Sequence, residues 1–222
     1  MRAIFICILV IISSKSYAQF VGDRINIGGG AIEVIGGDEG NVKTVGSPYI
    51  NETYFPAVVE GYDESIELRY NAYTDEMEFE VDETLYALSK NEYPRVVLGW
   101  KKKTPYIYTT YQDGANLVSG FLRIVNEKDK YPLYVKETVS FSPSKKATSG
   151  YDSDKPEVYK REKDRFFTKI ENQIVEVPLH KKNILKLFPE FQKEIQDFLK
   201  SEKVKLNSQD DMVRVFNYLN SL

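Results

Sequence analysis

Hydrophobic and polar positions alternate most regularly between Ile66 and Asp82. Ile66, Leu68 and Tyr70 are interleaved with Glu67, Arg69 and Asn71; Met77, Phe79 and Val81 are interleaved with Glu76, Glu78, Glu80 and Asp82. Successive side chains of a strand point to opposite faces, so a period of two predicts two half-buried strands. Ala72-Tyr73-Thr74-Asp75 can form the loop between them. Pairing Asn71 with Glu76 sets Tyr70 opposite Met77, Leu68 opposite Phe79 and Ile66 opposite Val81, which gathers the apolar side chains on one face. On the solvated face the same register sets Arg69 against Glu78, an attractive pair, and Glu67 against Glu80, a repulsive one.

Further strands are predicted at Leu85–Leu88, Arg95–Trp100, Tyr106–Tyr111, Leu117–Val125 and Leu133–Phe141, separated by short turns. Strands joined so closely are most simply neighbours in a meander, as in a sandwich or a curled, barrel-like sheet. Ser142 to Asp164 is polar, carries Pro143, Gly150 and Pro156, and reads as an irregular loop. Phe166–Ile170 and Ile174–Val177 form a last hairpin. After Pro178 the period becomes helical. Asn183–Phe188 makes a turn or two, and Pro189 suits the first turn of the next helix. Phe191, Ile195, Phe198 and Leu199 then form one apolar stripe, and Met212, Val215, Phe216 and Leu219 another. Ser208 with Asp211 resembles a capping box. The expected fold is mainly β (α+β): an antiparallel β-meander, flat or barrel-like, with a C-terminal pair of amphipathic helices covering part of the sheet.

The N-terminus reads differently. Arg2, an apolar run from Ala3 to Ile12, and small residues at Ser16 and Ala18 make an export signal with cleavage between Ala18 and Gln19. Ser13, Ser14 and Lys15 stop that run short of the roughly 20 residues a spanning helix needs, and no later stretch qualifies. Cys7 is the single cysteine and leaves with the signal, so disulfides and cysteine chemistry are excluded for the mature chain. Gln19–Gly46 is glycine-rich, with β-like pieces at Arg24–Ile27 and Ala31–Ile35. It lacks the Gly-Lys-Ser/Thr ending of a phosphate loop, and suits a leader that adds an edge strand to this sheet or to a partner's. The organisation is therefore a signal peptide (1–18), a glycine-rich segment (19–45) and one β-rich domain (46–222) with its helices from about 179.

The chain has 30 basic and 33 acidic residues. Loss of Arg2 and Lys15 with the signal makes the mature balance more acidic, which argues against nucleic acid as a partner. Asp75, Glu76, Glu78, Glu80, Asp82 and Glu83 could supply a carboxylate pair for glycoside hydrolysis, but they fall on the solvated side of a strand, where nothing raises a pKa. His180 is the only histidine, so any serine-hydrolase scheme must use it, and no Gly-x-Ser-x-Gly elbow accompanies it. Asp152, Asp154 and Glu157 lack the ordered spacing of an EF-hand. No catalytic, cofactor or metal-binding residue is assigned. The best candidate surface is aromatic. Alternation places Tyr106 and Tyr108 on one face, opposite Ile107 and Tyr111, so Trp100, Tyr106 and Tyr108 form an expected partner-binding platform beside Lys101, Lys102 and Lys103.

The stretches GSPYINETYFPAVV (Gly46–Val59), ELRYNAYTDEMEF (Glu67–Phe79) and SGYDSDKPEVYKREKDRFF (Ser149–Phe167) together with the tail from Lys181 resemble a widespread family of secreted proteins of the Bacteroidota. The similarity spans Gly46–Leu222. It implies a periplasmic or outer-membrane-associated location, or an extracellular one, in a Gram-negative cell, and carries over no catalytic residue. The expected function is a non-enzymatic interaction module, such as an accessory subunit of an envelope or secretion complex, with another envelope protein as partner. The alternatives are a hydrolase using the acidic strand or His180, and a soluble carrier whose curled sheet encloses an apolar ligand.

Overall fold

The computed structural model describes residues 31–33, 44–128, 130–147 and 153–222; of 31–33 it describes the backbone. The signal with its Ala18–Gln19 junction, the piece at Arg24–Ile27, and Asp152 lie outside the described residues. The strands are β1 (Ala31–Glu33), β2 (Thr44–Val45), β3 (Phe55–Val59), β4 (Tyr62–Asn71), β5 (Glu76–Val81), β6 (Thr84–Leu88), β7 (Arg95–Leu98), β8 (Thr104–Asp113), β9 (Asn116–Asn126), β10 (Leu133–Lys136), β11 (Val139–Ser142), β12 (Glu157–Arg161), β13 (Arg165–Ile170) and β14 (Gln173–Glu176). The helices are α1 (Lys181–Leu187), α2 (Gln192–Ser201) and α3 (Gln209–Leu219), with a 3-10 turn at Pro189–Phe191 before α2.

One sheet runs in the order β1-β6-β5-β4-β3-β7-β8-β9-β10-β13-β14, and β11-β12-β2 form a second, small one. The large sheet is antiparallel and curled into a half-barrel, and β1 lies along β6 as its edge strand. The curl follows from the connections. β6 and β7 run in the same sense, and a crossover in a flat sheet takes a dozen or more residues. Here only Ser89–Pro94 intervene, and they fold back on themselves, the Tyr93 N–H donating to the Ser89 carbonyl (3.0 Å). The sheet must therefore bend sharply within the first meander. The bend is at β4, whose first half pairs with β3 and whose end pairs with β5 through Arg69–Glu78, Tyr70–Met77 and Asn71–Glu76. A strand that passes from one layer to another makes such a corner. Over these three pairs the register is the one that the alternation predicts; the pairs expected beyond them, Leu68–Phe79, Glu67–Glu80 and Ile66–Val81, do not form.

The polar face of that hairpin departs from expectation. Glu78 is only 1 % exposed. The Gly46–Tyr54 segment folds over it: the Ile50 N–H donates to the Tyr70 carbonyl and the Ala72 N–H to the Pro48 carbonyl. Arg69 packs its guanidinium against the rings of Tyr49 and Tyr54, at 3.7 and 4.5 Å from their centres, and reaches Glu78 at 3.4 Å. Asn71 donates to the other Glu78 oxygen (2.7 Å). A charge-assisted, aromatic-capped cluster replaces the solvated pair.

Two cores result. Leu68, Tyr70, Met77, Phe79, Val96, Tyr106 and Phe121 fill the curl of the first meander. In the second, Leu133, Val135 and Phe166 of the sheet are covered by Ile184 of α1, Ile195 and Leu199 of α2, and Met212, Val215, Phe216 and Leu219 of α3. The closing helices thus do cover the sheet, and Ser208 caps α3 by accepting the Asp211 N–H (3.2 Å). Three details differ from the sequence pattern. β3 forms despite Pro56, which sits at its start, before the ladder to β7 begins at Ala57. β12 arises inside the expected loop. Leu133–Phe141 splits in two at Glu137-Thr138, where the chain leaves the large sheet for the small one.

Candidate recognition surface

Trp100 stands on the turn between β7 and β8. Gly99 adopts a φ of 96°, and a side chain there would collide with the Lys102 carbonyl, so the tight turn requires glycine. The Gly99 N–H donates to the Pro56 carbonyl (2.9 Å), which ties the turn to β3. Trp100 is left 81 % exposed, and Val58 of β3 is 65 % exposed. With Ala57, Tyr62, Glu64 and Lys103 they line a shallow groove of about 520 Å³. An exposed aromatic and an exposed β-branched side chain on one groove are the kind of anchor that interfaces use.

The two tyrosines expected beside Trp100 are elsewhere. Tyr106 is 2 % exposed; it faces the inside of the curl, where its hydroxyl donates to Glu137 (2.7 Å) and its ring lies 5.1 Å from that of Tyr70. Burial, and then the Glu137 charge, raise its hydroxyl pKa well above the ordinary value. Tyr108 is half-buried against Phe121, ring centres 5.3 Å apart. The alternation along β8 is as expected, but the curl makes the tyrosine face the interior one. The opposite face is covered too, since Tyr111 packs on Phe167 at 4.9 Å. The platform of three therefore reduces to Trp100, with Val58 in place of the tyrosines. Pattern alone misses Val58 because β3 itself is hidden behind its proline.

A cluster of ionisable groups is internal. Where β9 runs past the end of β10, its backbone at Phe121 is met by side chains: the Phe121 N–H donates to Asp75 (3.2 Å), and the Phe121 carbonyl accepts from Lys136 Nζ (3.1 Å). Lys136 Nζ also donates to Asp75 (2.6 Å) and to the Tyr70 hydroxyl (3.3 Å), which itself donates to Asp75 (2.6 Å). Gly120 leaves the room, because a Cβ there would fall 2.5 Å from the Asp75 carboxylate. Burial lowers the Lys136 pKa, and Asp75 opposes that shift. Next along the chain, Glu137 accepts from Tyr106 and ion-pairs with Arg123 and Arg161, both at 3.2 Å. An ammonium has three donors, and all three are engaged. Lys136 is a strut that closes the seam of the curl, with no free electron pair for nucleophilic work. The signal for this cluster was two adjacent charges, Lys136-Glu137, inside an apolar strand run.

The acidic strand is divided in use. Asp75 is held by Lys136, Glu78 by Arg69 and Asn71, and Glu76 by Lys90 at 4.0 Å. Glu80 and Asp82 instead line a cleft of about 610 Å³ with Glu64, Glu67, Tyr54 and Tyr62. His180 is the N-cap residue of α1, exposed and without a capping hydrogen bond from its side chain. Asp154 accepts the Ala147 N–H (2.7 Å). Among the described residues, no three metal-ligating side chains are grouped and no helix is long and apolar enough to cross a membrane. No protein-family model matches this chain, and neither does any curated protein or solved structure.

Proposed function

We propose that this chain is an exported, non-enzymatic interaction module of the periplasm or outer membrane, an accessory subunit of an envelope or secretion complex, and a member of the secreted Bacteroidota family it resembles. The observation that carries the reading is Trp100, 81 % exposed on a turn pinned to β3 and paired with an exposed Val58. An indole offers a partner a large contact area and has only two side-chain torsions to lose on binding. The export pattern at Arg2–Ala18 supports the compartment. The use of Asp75, Glu78, Lys136 and Glu137 in structural pairs supports binding over catalysis.

The test is co-purification from solubilised envelope with the parent chain and with Trp100→Ser and Val58→Ser variants. Both substitutions are at exposed positions and are expected to leave the thermal midpoint nearly unchanged. Partner bands retained by the parent are expected to vanish with Trp100→Ser and weaken with Val58→Ser. Equal recovery by all three proteins would refute the Trp100 surface as the binding site.

A further inference from the structure

The corner at β4 leaves a break in the sheet. The β4–β5 ladder ends at Arg69–Glu78. Yet β4 extends to Tyr62, paired on its other side with β3, and β5 extends to Val81, paired on its other side with β6. The edges of Tyr62–Leu68 and Phe79–Val81 that face each other therefore carry no ladder, and the cleft of about 610 Å³ lies between them. Ile66, Phe79 and Val81 supply apolar walls, and Tyr54 and Tyr62 stand at the rim. Unpaired strand edges are templates for another strand.

Charge selects the occupant. Glu64, Glu67, Glu80 and Asp82 line the opening. Among the described residues the hairpin's ion pairs are Arg69–Glu78, Lys90–Glu76 and Lys136–Asp75, and these four carboxylates are in none of them. The cleft also adjoins the Trp100 groove, sharing Tyr62, Glu64 and Ser65 with it. We propose that the gap between β4 and β5 receives an extended segment of a partner protein bearing lysine or arginine at alternate positions, which pairs as an added strand. Its cationic side chains meet the glutamates, and its continuation reaches Trp100. The inference rests on the binding reading above and names the chemistry of the partner.

Three ten-residue peptides test it against the full chain: alternating Lys and Thr, alternating Glu and Thr, and the Lys–Thr peptide with alternate backbone nitrogens methylated. Trp100 is the only tryptophan, so its fluorescence reports occupancy beside the cleft, and calorimetry gives the affinity. The Lys–Thr peptide is expected to bind, and the Glu–Thr peptide not to. Methylation should weaken binding at least tenfold, because it removes ladder donors without changing charge. Glu67→Gln with Glu80→Gln should likewise weaken it at least tenfold in a protein whose thermal melt matches the parent. Equal binding of the methylated peptide would overturn strand addition, and undiminished binding to the double variant would overturn the site. Loss of peptide binding with envelope capture still dependent on Trp100 would reject this inference alone; the reverse result would reject the Trp100 reading alone.

Discussion

The two ends of the β4–β5 hairpin carry carboxylates of similar sequence context and opposite fate. At the turn end, Glu78 is buried and Asp75 half-buried, and they are matched by Arg69, Asn71 and Lys136. At the other end, Glu67, Glu80 and Asp82 face a cleft between strands that have parted. The ladder decides which is which. Where β4 and β5 pair, Gly46–Tyr54 on one side and Phe121 and Lys136 on the other can cover the hairpin. Where they part, only the Tyr54 and Tyr62 hydroxyls among the described residues reach the carboxylates, donating to Glu80 and Glu64. A buried carboxylate must be matched because desolvation costs several kcal/mol; a wet one can stay unmatched and available to a partner. The comparison separates structural acids from candidate binding acids without reference to their spacing.

The hardest test of that division is Lys136→Met. It keeps the stem's bulk but leaves the Asp75 carboxylate at the Phe121 seam without its cation. Asp75 is 23 % exposed and keeps the Tyr70 hydroxyl and the Phe121 N–H, so the loss falls below that of a fully buried pair, at about 2–4 kcal/mol, read as a lower denaturant midpoint. A loss below about 1 kcal/mol would show that the seam is not structural. Glu78→Ala follows, at about 2–3 kcal/mol, since it strands the Arg69 guanidinium and the Asn71 amide under the Tyr49 and Tyr54 rings. A Glu78 on the solvated face, as alternation alone places it, would cost under about 1 kcal/mol, so the same melt separates the two placements.

Asp113 extends the comparison to a half-exposed site. Arg165 of β13 reaches across to Asp113 of β8 at 2.7 Å while also bonding Glu176. That hydrogen bond from Arg165 lowers the Asp113 pKa below its ordinary 3.8, against a smaller opposing effect of burial. Between the two pKa values the unfolded chain binds more protons than the folded one, so stability rises with pH there. The contribution is fully present above about pH 4 and is lost as pH falls through the folded value. Solvent screening holds it under about 1 kcal/mol. Asp113→Asn should flatten the acid limb of the stability profile; an unchanged limb would mean that the Arg165 bridge does not persist in solution.

What could be read from the chain, and what could not, follows from the range of the interactions. The β4–β5 register, the meander and the closing helices rest on local periodicity, and Ile66–Asp82, Ser208–Asp211 and the α3 stripe carry it openly. Alternation places Tyr106 on the correct face of β8 but predicts it exposed, because it distinguishes two faces and is blind to which one the sheet curls around. Alternation alone leaves Glu78 in water because its cover, Gly46–Tyr54, is glycine-, proline- and serine-containing chain with no period. Val58 and Lys136 needed long-range facts, the β3–β7 pairing and the end of β10 beside Phe121, that no local pattern encodes. Export and the Ala18–Gln19 cleavage rest on the sequence alone.

The smallest expected effect is the most discriminating. Glu67 and Glu80 face one cleft with no described cation between them, so neutralising both removes repulsion and orphans no buried partner. Tyr54, whose hydroxyl donates to Glu80 at 3.4 Å, can donate equally to a glutamine oxygen. The double variant Glu67→Gln, Glu80→Gln is therefore expected to match or exceed the parent's stability by up to about 0.5 kcal/mol, the scale of exposed like-charge pairs on a sheet. The gain should shrink in molar salt, where screening already suppresses the repulsion. A loss above about 1 kcal/mol would place these carboxylates with Asp75 and Glu78 as structural groups, and would erase the distinction between the two ends of the hairpin. A small, salt-sensitive gain would mean that the fold carries this repulsion uncompensated, as expected where the opposing charge belongs to another molecule.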